Sequence, residues 1–132
     1  MVDDNTVNRL VTRAFLERLG CKVEEAEDGH DALGLRKDRE FDLVLMDCEM
    51  PGLGGYAASS EIRRMEEVVR PRLRLPIVAL TASALVADRE RALAAGMNEY
   101  LSKPVTMEDL HRVLSPWLRA GRARPEGPSL PR

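Results

Sequence analysis

A chain of 132 residues has room for one domain and little more. With 44% hydrophobic and 32% charged residues it has the makings of a core, and a net charge of −2 with a pI near 5.8 offers no general attraction to nucleic acid or an anionic membrane. The two cysteines, Cys21 and Cys48, lack metal-ligand spacing, and with no secretory signal or transmembrane run the expected address is the reducing cytoplasm.

From Asn5 to Leu19, Val7, Leu10, Val11, Ala14, Phe15 and Arg18 recur at helical steps, predicting an amphipathic helix stopped by Gly20. "CKVEEAEDG" reads as a short strand with Val23 and Ala26 as its apolar members, and "HDALGLRKDRE" as a helix weakened by Gly34. "DLVLMD" is a buried strand ending on Asp47. A helix from 56 to 69 follows the loop "CEMPGLGG", with Pro71 to end it. "LPIVALTA" is a continuous apolar strand covered on both faces, "ALVADRERALAAG" a helix closed by Gly96, and "NEYLSKP" a short strand ended by Pro104. Thr106 is placed to cap a last helix, which Pro116 is expected to kink. From residue 120, "AGRARPEGPSLPR" reads as a disordered tail, leaving 1–119 as the domain.

Strands alternating with helices predict an α/β fold, a parallel sheet with helices on both faces. In such sheets reactive groups collect at the carboxyl ends of the strands. Asp47 ends one strand, Thr81 another and Lys103 the last, while Asp3 and Asp4 precede the first helix. Lys103 is one of only three lysines among 20 basic residues. Three carboxylates gathered at one edge repel each other, and a divalent cation relieves this; few oxygen ligands with open positions suit Mg²⁺. Such a site leaves room for a phosphoryl group, with Asp47 as nucleophile, Lys103 pairing one oxygen and Thr81 donating to another.

The ordered series "VDDN" (2–5), "DLVLMDCEMPG" (42–52), "GGY" (54–56), "PIVALTA" (76–82), "AAGMNEYLSKP" (94–104) and "EDL" (108–110) resembles the receiver domain of two-component response regulators, most of all receivers of hybrid sensor histidine kinases. The resemblance covers about residues 2–118. It implies a flavodoxin-like, doubly wound, five-stranded parallel sheet of order 2-1-3-4-5. It makes Asp47 the phosphoacceptor, Asp3 and Asp4 the acids that hold Mg²⁺, and Glu49 the donor of a backbone carbonyl to the metal. Thr81 and Tyr100 become the switch pair, and Lys103 the phosphate partner, with a cis bond to Pro104. Ser83 and the Glu49 side chain would line the mouth of the site. The implied donor is a phosphohistidine on a sensor kinase or histidine phosphotransfer domain, docking near the first helix; the implied output is a protein contact, without direct nucleic-acid binding. Only self-phosphorylation and self-dephosphorylation are expected as chemistry.

The pattern departs from the family at the start, where only Met1 and Val2 precede the acidic pair, so the first strand is expected to be truncated. A fragment or misassigned start explains this with the site residues kept; a degenerate remnant is the other explanation. Two further readings compete with a phosphorelay receiver: a phosphorylation-independent pseudo-receiver, and an aspartate-nucleophile phosphohydrolase, whose acid order is the reverse of this chain's.

Overall fold

The computed structural model of the protein describes residues 1–38, 41–50, 52–69, 74–82 and 86–123. Helices α1 (Thr6–Arg18) and α2 (Gly29–Asp38) come first. Strand β1 (Val44–Asp47), α3 (Gly55–Val69), β2 (Ile77–Thr81), α4 (Val86–Ala94), β3 (Glu99–Ser102) and α5 (Met107–Ala123) then alternate. The three strands form a parallel sheet in the order β1-β2-β3, with Val44 opposite Ile77 and Thr81 opposite Ser102. Because neighbouring strand residues face opposite sides, the sheet feeds two apolar layers. Leu45, Val78 and Leu80 pack with Leu16 of α1 and with Leu110, Val113 and Leu114 of α5. Met46, Ile77 and Ala79 pack with Ala32 of α2, Ala58 and Ile62 of α3, and Ala92 of α4. The sheet is therefore doubly wound, as its apolar runs require.

The five-stranded order survives beyond β1 only as single bridges. Val2 pairs in parallel with Met46 on one side and Ala26 on the other. Its N–H donates to the Leu45 carbonyl at 2.8 Å and its carbonyl accepts from the Asp47 N–H at 2.9 Å. The Asp3 N–H donates to the Ala26 carbonyl at 3.1 Å, and the Met1 carbonyl accepts from the Ala26 N–H at 2.9 Å. Residues 1–3 thus stand where the inner strand of a 2-1-3-4-5 sheet belongs. The stretch predicted as a strand around 21–26 forms no ladder, which corrects that expectation. A strand exists only through its neighbour, and Val2 supplies one rung. Beyond that rung lies a cavity of about 30 Å³ lined by Met1, Val2, Glu24, Phe41, Leu43 and Val44, among others.

Helix α1 also departs from expectation. The N-terminal part of its apolar stripe faces solvent, with Val7 67% exposed, Leu10 68% and Val11 46%, while Phe15 packs against the core as expected. The buried residues of the helix are Arg9, Thr12 and Leu16. The helix begins one residue later than predicted, because Asn5 is its N-cap and accepts from the Asn8 N–H at 2.9 Å. Helix α5 starts as read, with the Asp109 N–H donating to Thr106 Oγ1 at 3.0 Å. It runs through Pro116 to Ala123, so the first residues of the expected tail are helical, and 124–132 lie outside the described residues. The predicted helix stop at Pro71 and the site-mouth Ser83 lie outside them as well. Among the described residues, no helix is long and apolar enough to cross a membrane.

Candidate functional site

The carboxyl ends of β1, β2 and β3 bring Asp47, Thr81 and Lys103 to one edge of the sheet, and the loop before α1 adds Asp3 and Asp4. Asp47 is 1% exposed and Thr81 and Asp3 are also buried, while Asp4 is open to solvent. Carboxylate oxygens of Asp3, Asp4 and Asp47 lie within 4.8 Å of one another. Lys103 Nζ donates to Asp47 Oδ1 at 2.8 Å and stands 3.9 Å from Asp3 Oδ2. The Lys103–Pro104 bond is cis. All five residues singled out from the strand-end rule meet here.

Local structure holds each group in place. Asp47 sits at the last rung of β1, its N–H bonded to Val2 and the next N–H, of Cys48, bonded to the Leu80 carbonyl at 2.8 Å. Helix α3 begins directly beneath it: a Cβ on Gly55 would run into the Asp47 carbonyl. Asp3 accepts the Asn5 N–H at 2.8 Å. Arg9, buried on α1, donates to the Asp3 carbonyl at 2.7 Å and to Glu25 Oε1 at 3.2 Å, tying the acidic pair to the segment across from it. Neither Gly55's close approach nor the Arg9 tie was foreseen. The only trace of the second was a polar row, Arg9 and Thr12, opposite the apolar stripe of α1.

Glu49 reaches the site in two ways. Its N–H donates to Asp47 Oδ1 at 3.1 Å. Its carboxylate accepts from Thr81 Oγ1 at 3.3 Å and from the Ala82 N–H at 3.0 Å. The Glu49 carbonyl, the group that the resemblance assigns to the metal, takes part in neither contact. Tyr100, half-buried on β3, has the Arg89 guanidinium of α4 over its ring at 5.8 Å. A second such contact, Arg91 over Tyr56 at 4.1 Å, fastens α4 to α3.

The electrostatics favour a cation. Burial pushes the Asp47 carboxyl up to about 6, against the hydrogen bond and charge of Lys103, with the negative charge of Asp3 adding to the rise. Burial opposes the Lys103 ammonium, but its hydrogen bond to Asp47 and the charges of Asp47, Asp3 and Glu49 prevail and raise its pKa. Asp47 Oδ2 is buried without a hydrogen-bond partner. An orphaned buried carboxylate oxygen, beside two further acids, fits an oxygen-seeking Mg²⁺. A testable consequence follows from linkage. Without metal, the folded protein keeps a proton on Asp47 that the unfolded chain sheds near its ordinary 3.8. Its stability therefore falls as pH rises from about 4 to about 6. Added Mg²⁺ should raise the melting temperature more at pH 7 than at pH 5, where it competes with that proton. A larger rise at pH 5 would contradict this account.

The model of the response regulator receiver domain matches residues 1–115. The chain is 41% identical to the sensor protein GacS of Pseudomonas syringae pv. syringae over 116 residues, covering 88% of this chain and 13% of that protein. It thus spans about an eighth of the length of that curated relative. Its fold is similar to the receiver domain of the sensor histidine kinase PA1611 from Pseudomonas aeruginosa PAO1, solved with a magnesium ion in the active-site cleft (45% identity, TM-score 0.77, 89% and 93% of the two chains covered). It is also similar to the Saccharomyces cerevisiae complex of the histidine phosphotransfer protein Ypd1 with the receiver domain of the response regulator Ssk1 (31% identity, TM-score 0.83, 95% and 90% covered). With the family model matched across all but the last turns of the folded chain, and relatives above 40% identity, this chain belongs to the response regulator receiver domains.

Proposed function

We propose that this domain accepts a phosphoryl group on Asp47 from a phosphohistidine donor, with Mg²⁺ held by Asp3, Asp4, Asp47 and the backbone carbonyl of Glu49. One observation carries the reading: a buried aspartate at a strand end lies 2.8 Å from a lysine ammonium and within reach of two further acids. In the transfer, the donor's P–N bond breaks, an O–P bond forms to an Asp47 carboxylate oxygen, and the imidazole leaves. Bound Mg²⁺ supplies charge neutralisation for the acids and for the incoming phosphoryl oxygens. Lys103, freed from Asp47 Oδ1, pairs with a phosphoryl oxygen, and the Thr81 hydroxyl donates to another. Thr81 movement would be read by Tyr100 and by α4, whose Arg89 stacks on that ring. The output is a changed protein-binding face on α4, β3 and α5. The domain's own chemistry is confined to gaining and losing the phosphoryl group.

The donor reading draws on α1. Val7, Leu10 and Val11 form an exposed apolar stripe on the helix that follows the acidic pair. A helical bundle carrying the phosphohistidine would cover it, a partner class suggested by the likeness to the Ypd1–Ssk1 complex. Incubation with Mg²⁺ and acetyl phosphate should add one phosphoryl mass to the wild type and none to Asp47→Asn. Leu10→Asp should retain labelling by acetyl phosphate but lose ~10-fold or more in transfer from a histidine phosphotransfer protein. Labelling of Asp47→Asn at the wild-type level would remove the assignment of the acceptor.

A further inference from the structure

We propose that the Glu49 carboxylate is a built-in occupant of the phosphoryl seat, closing the resting site until a phosphoryl group displaces it. The inference rests on Asp47 being the phosphoacceptor and adds a gate to that site. Its two oxygens divide two donors between them, Oε2 taking the Thr81 hydroxyl at 3.3 Å and Oε1 the Ala82 N–H at 3.0 Å. The same side chain is anchored close to the acceptor, because the Glu49 N–H donates to Asp47 Oδ1 at 3.1 Å. Glu49 therefore bridges the end of β1 to the end of β2 by its backbone on one side and its carboxylate on the other.

A hydroxyl and an N–H side by side at the end of a buried strand form an anion-recognising pair, and a carboxylate is the protein's own anion for it. A phosphoryl group on Asp47 needs the Thr81 hydroxyl, and a single hydroxyl proton cannot serve two acceptors. Glu49 also carries a negative charge that would face the incoming phosphoryl oxygens at short range. Both effects push in one direction: Glu49 must release Thr81 and Ala82 and swing outward. Its exposure leaves it room to do so. Glu49 is thus a positioning residue that holds Thr81 in the resting arrangement, and the cost of its release is set against every phosphorylation event.

Three variants separate occupancy from charge. Glu49→Ala removes both acceptors and the charge. Glu49→Gln removes the charge but keeps the occupant, its amide oxygen placed to accept from the Ala82 N–H and its NH2 to donate to the Thr81 hydroxyl oxygen. In Mg²⁺, beryllofluoride should bind Glu49→Ala about tenfold more tightly than wild type, with Glu49→Gln between them. Before any beryllofluoride is added, the Ala82 amide resonance should move in Glu49→Ala, reporting loss of its acceptor. Equal affinity of Gln and Ala variants would reduce the effect to charge and overturn the occupied seat. An unmoved Ala82 resonance would overturn it independently of phosphoryl chemistry. If that resonance moves but acetyl phosphate labels neither protein, the phosphoacceptor reading has failed, and the gate with it, while the Glu49–Ala82 contact stands.

Discussion

Placing about four or five apolar residues ahead of Met1 is expected to raise the melting temperature by ~10 °C or more. The position they would fill is an inner one, flanked on both sides, yet only Val2 forms a bridge on both sides of it. Within β1, Asp47 directs its N–H toward Val2, and Leu45, two residues earlier, directs its N–H to the same side. Each added residue would pair with the segment around 21–26 on one flank or with β1 on the other. Its side chains would alternate between the layer built on Leu16 and Leu114 and the layer built on Ala32 and Ile62. Filling the cavity beside Leu43 and Val44 adds to the gain. Burying about four such side chains offsets the entropy of ordering them, and the ladder hydrogen bonds regained on both flanks supply the surplus.

A second signature accompanies the first. Burial lowers the Met1 ammonium to about 6, despite the charges of Glu25 and Glu24, while it donates to the Glu24 carbonyl. Between pH 6 and 8 the unfolded chain holds more protons than the folded one, so stability rises with pH across that window. An amide in place of the amine abolishes this rise. Thermal melts at pH 6 and pH 8, with and without the extension, test both points together. An unchanged melt would mean that residues 1–3 already do the work of a strand.

Gly55→Ala is expected to cost ~3 kcal/mol or more and to abolish labelling of Asp47 even where the protein stays folded. The first turn of α3 sits against the backbone of Asp47 and Cys48, and a methyl group there meets the Asp47 carbonyl, its carbon, and the Cys48 Cα. None of these is the end of a flexible side chain, so relief comes only from moving α3 or the strand end. Either movement shifts the acceptor relative to Lys103 and the acidic pair, where reactivity depends on sub-ångström placement. Gly54→Ala is the control, since its Cβ would meet only the Met50 and Cys48 carbonyl oxygens, at 3.6 and 3.7 Å. Chemical denaturation and acetyl phosphate labelling of the pair should separate them clearly. Equal behaviour would show that α3 yields without disturbing the site.

The chain's sequence by itself determined the parallel sheet and the meeting of Asp47, Thr81 and Lys103, because strands in βαβ units run parallel and their last residues share one edge. It also determined the cap at Thr106, a local hydrogen bond between near neighbours. What it could not determine were relations between segments. Periodicity marks an apolar stripe on α1 but not the direction it faces. The buried Arg9 at its back, bonded to the Asp3 carbonyl and Glu25, turns Val7 and Leu10 outward. The short stretch with Val23 and Ala26 as its apolar members is a strand only if a partner of equal length lies alongside, and residues 1–3 offer a single rung. The tight seat of Gly55 under Asp47 and the grip of Glu49 on Thr81 and Ala82 exist only after distant elements have packed. Tertiary structure decided these, because a side chain's partner is a property of the space around it and not of its neighbours in sequence.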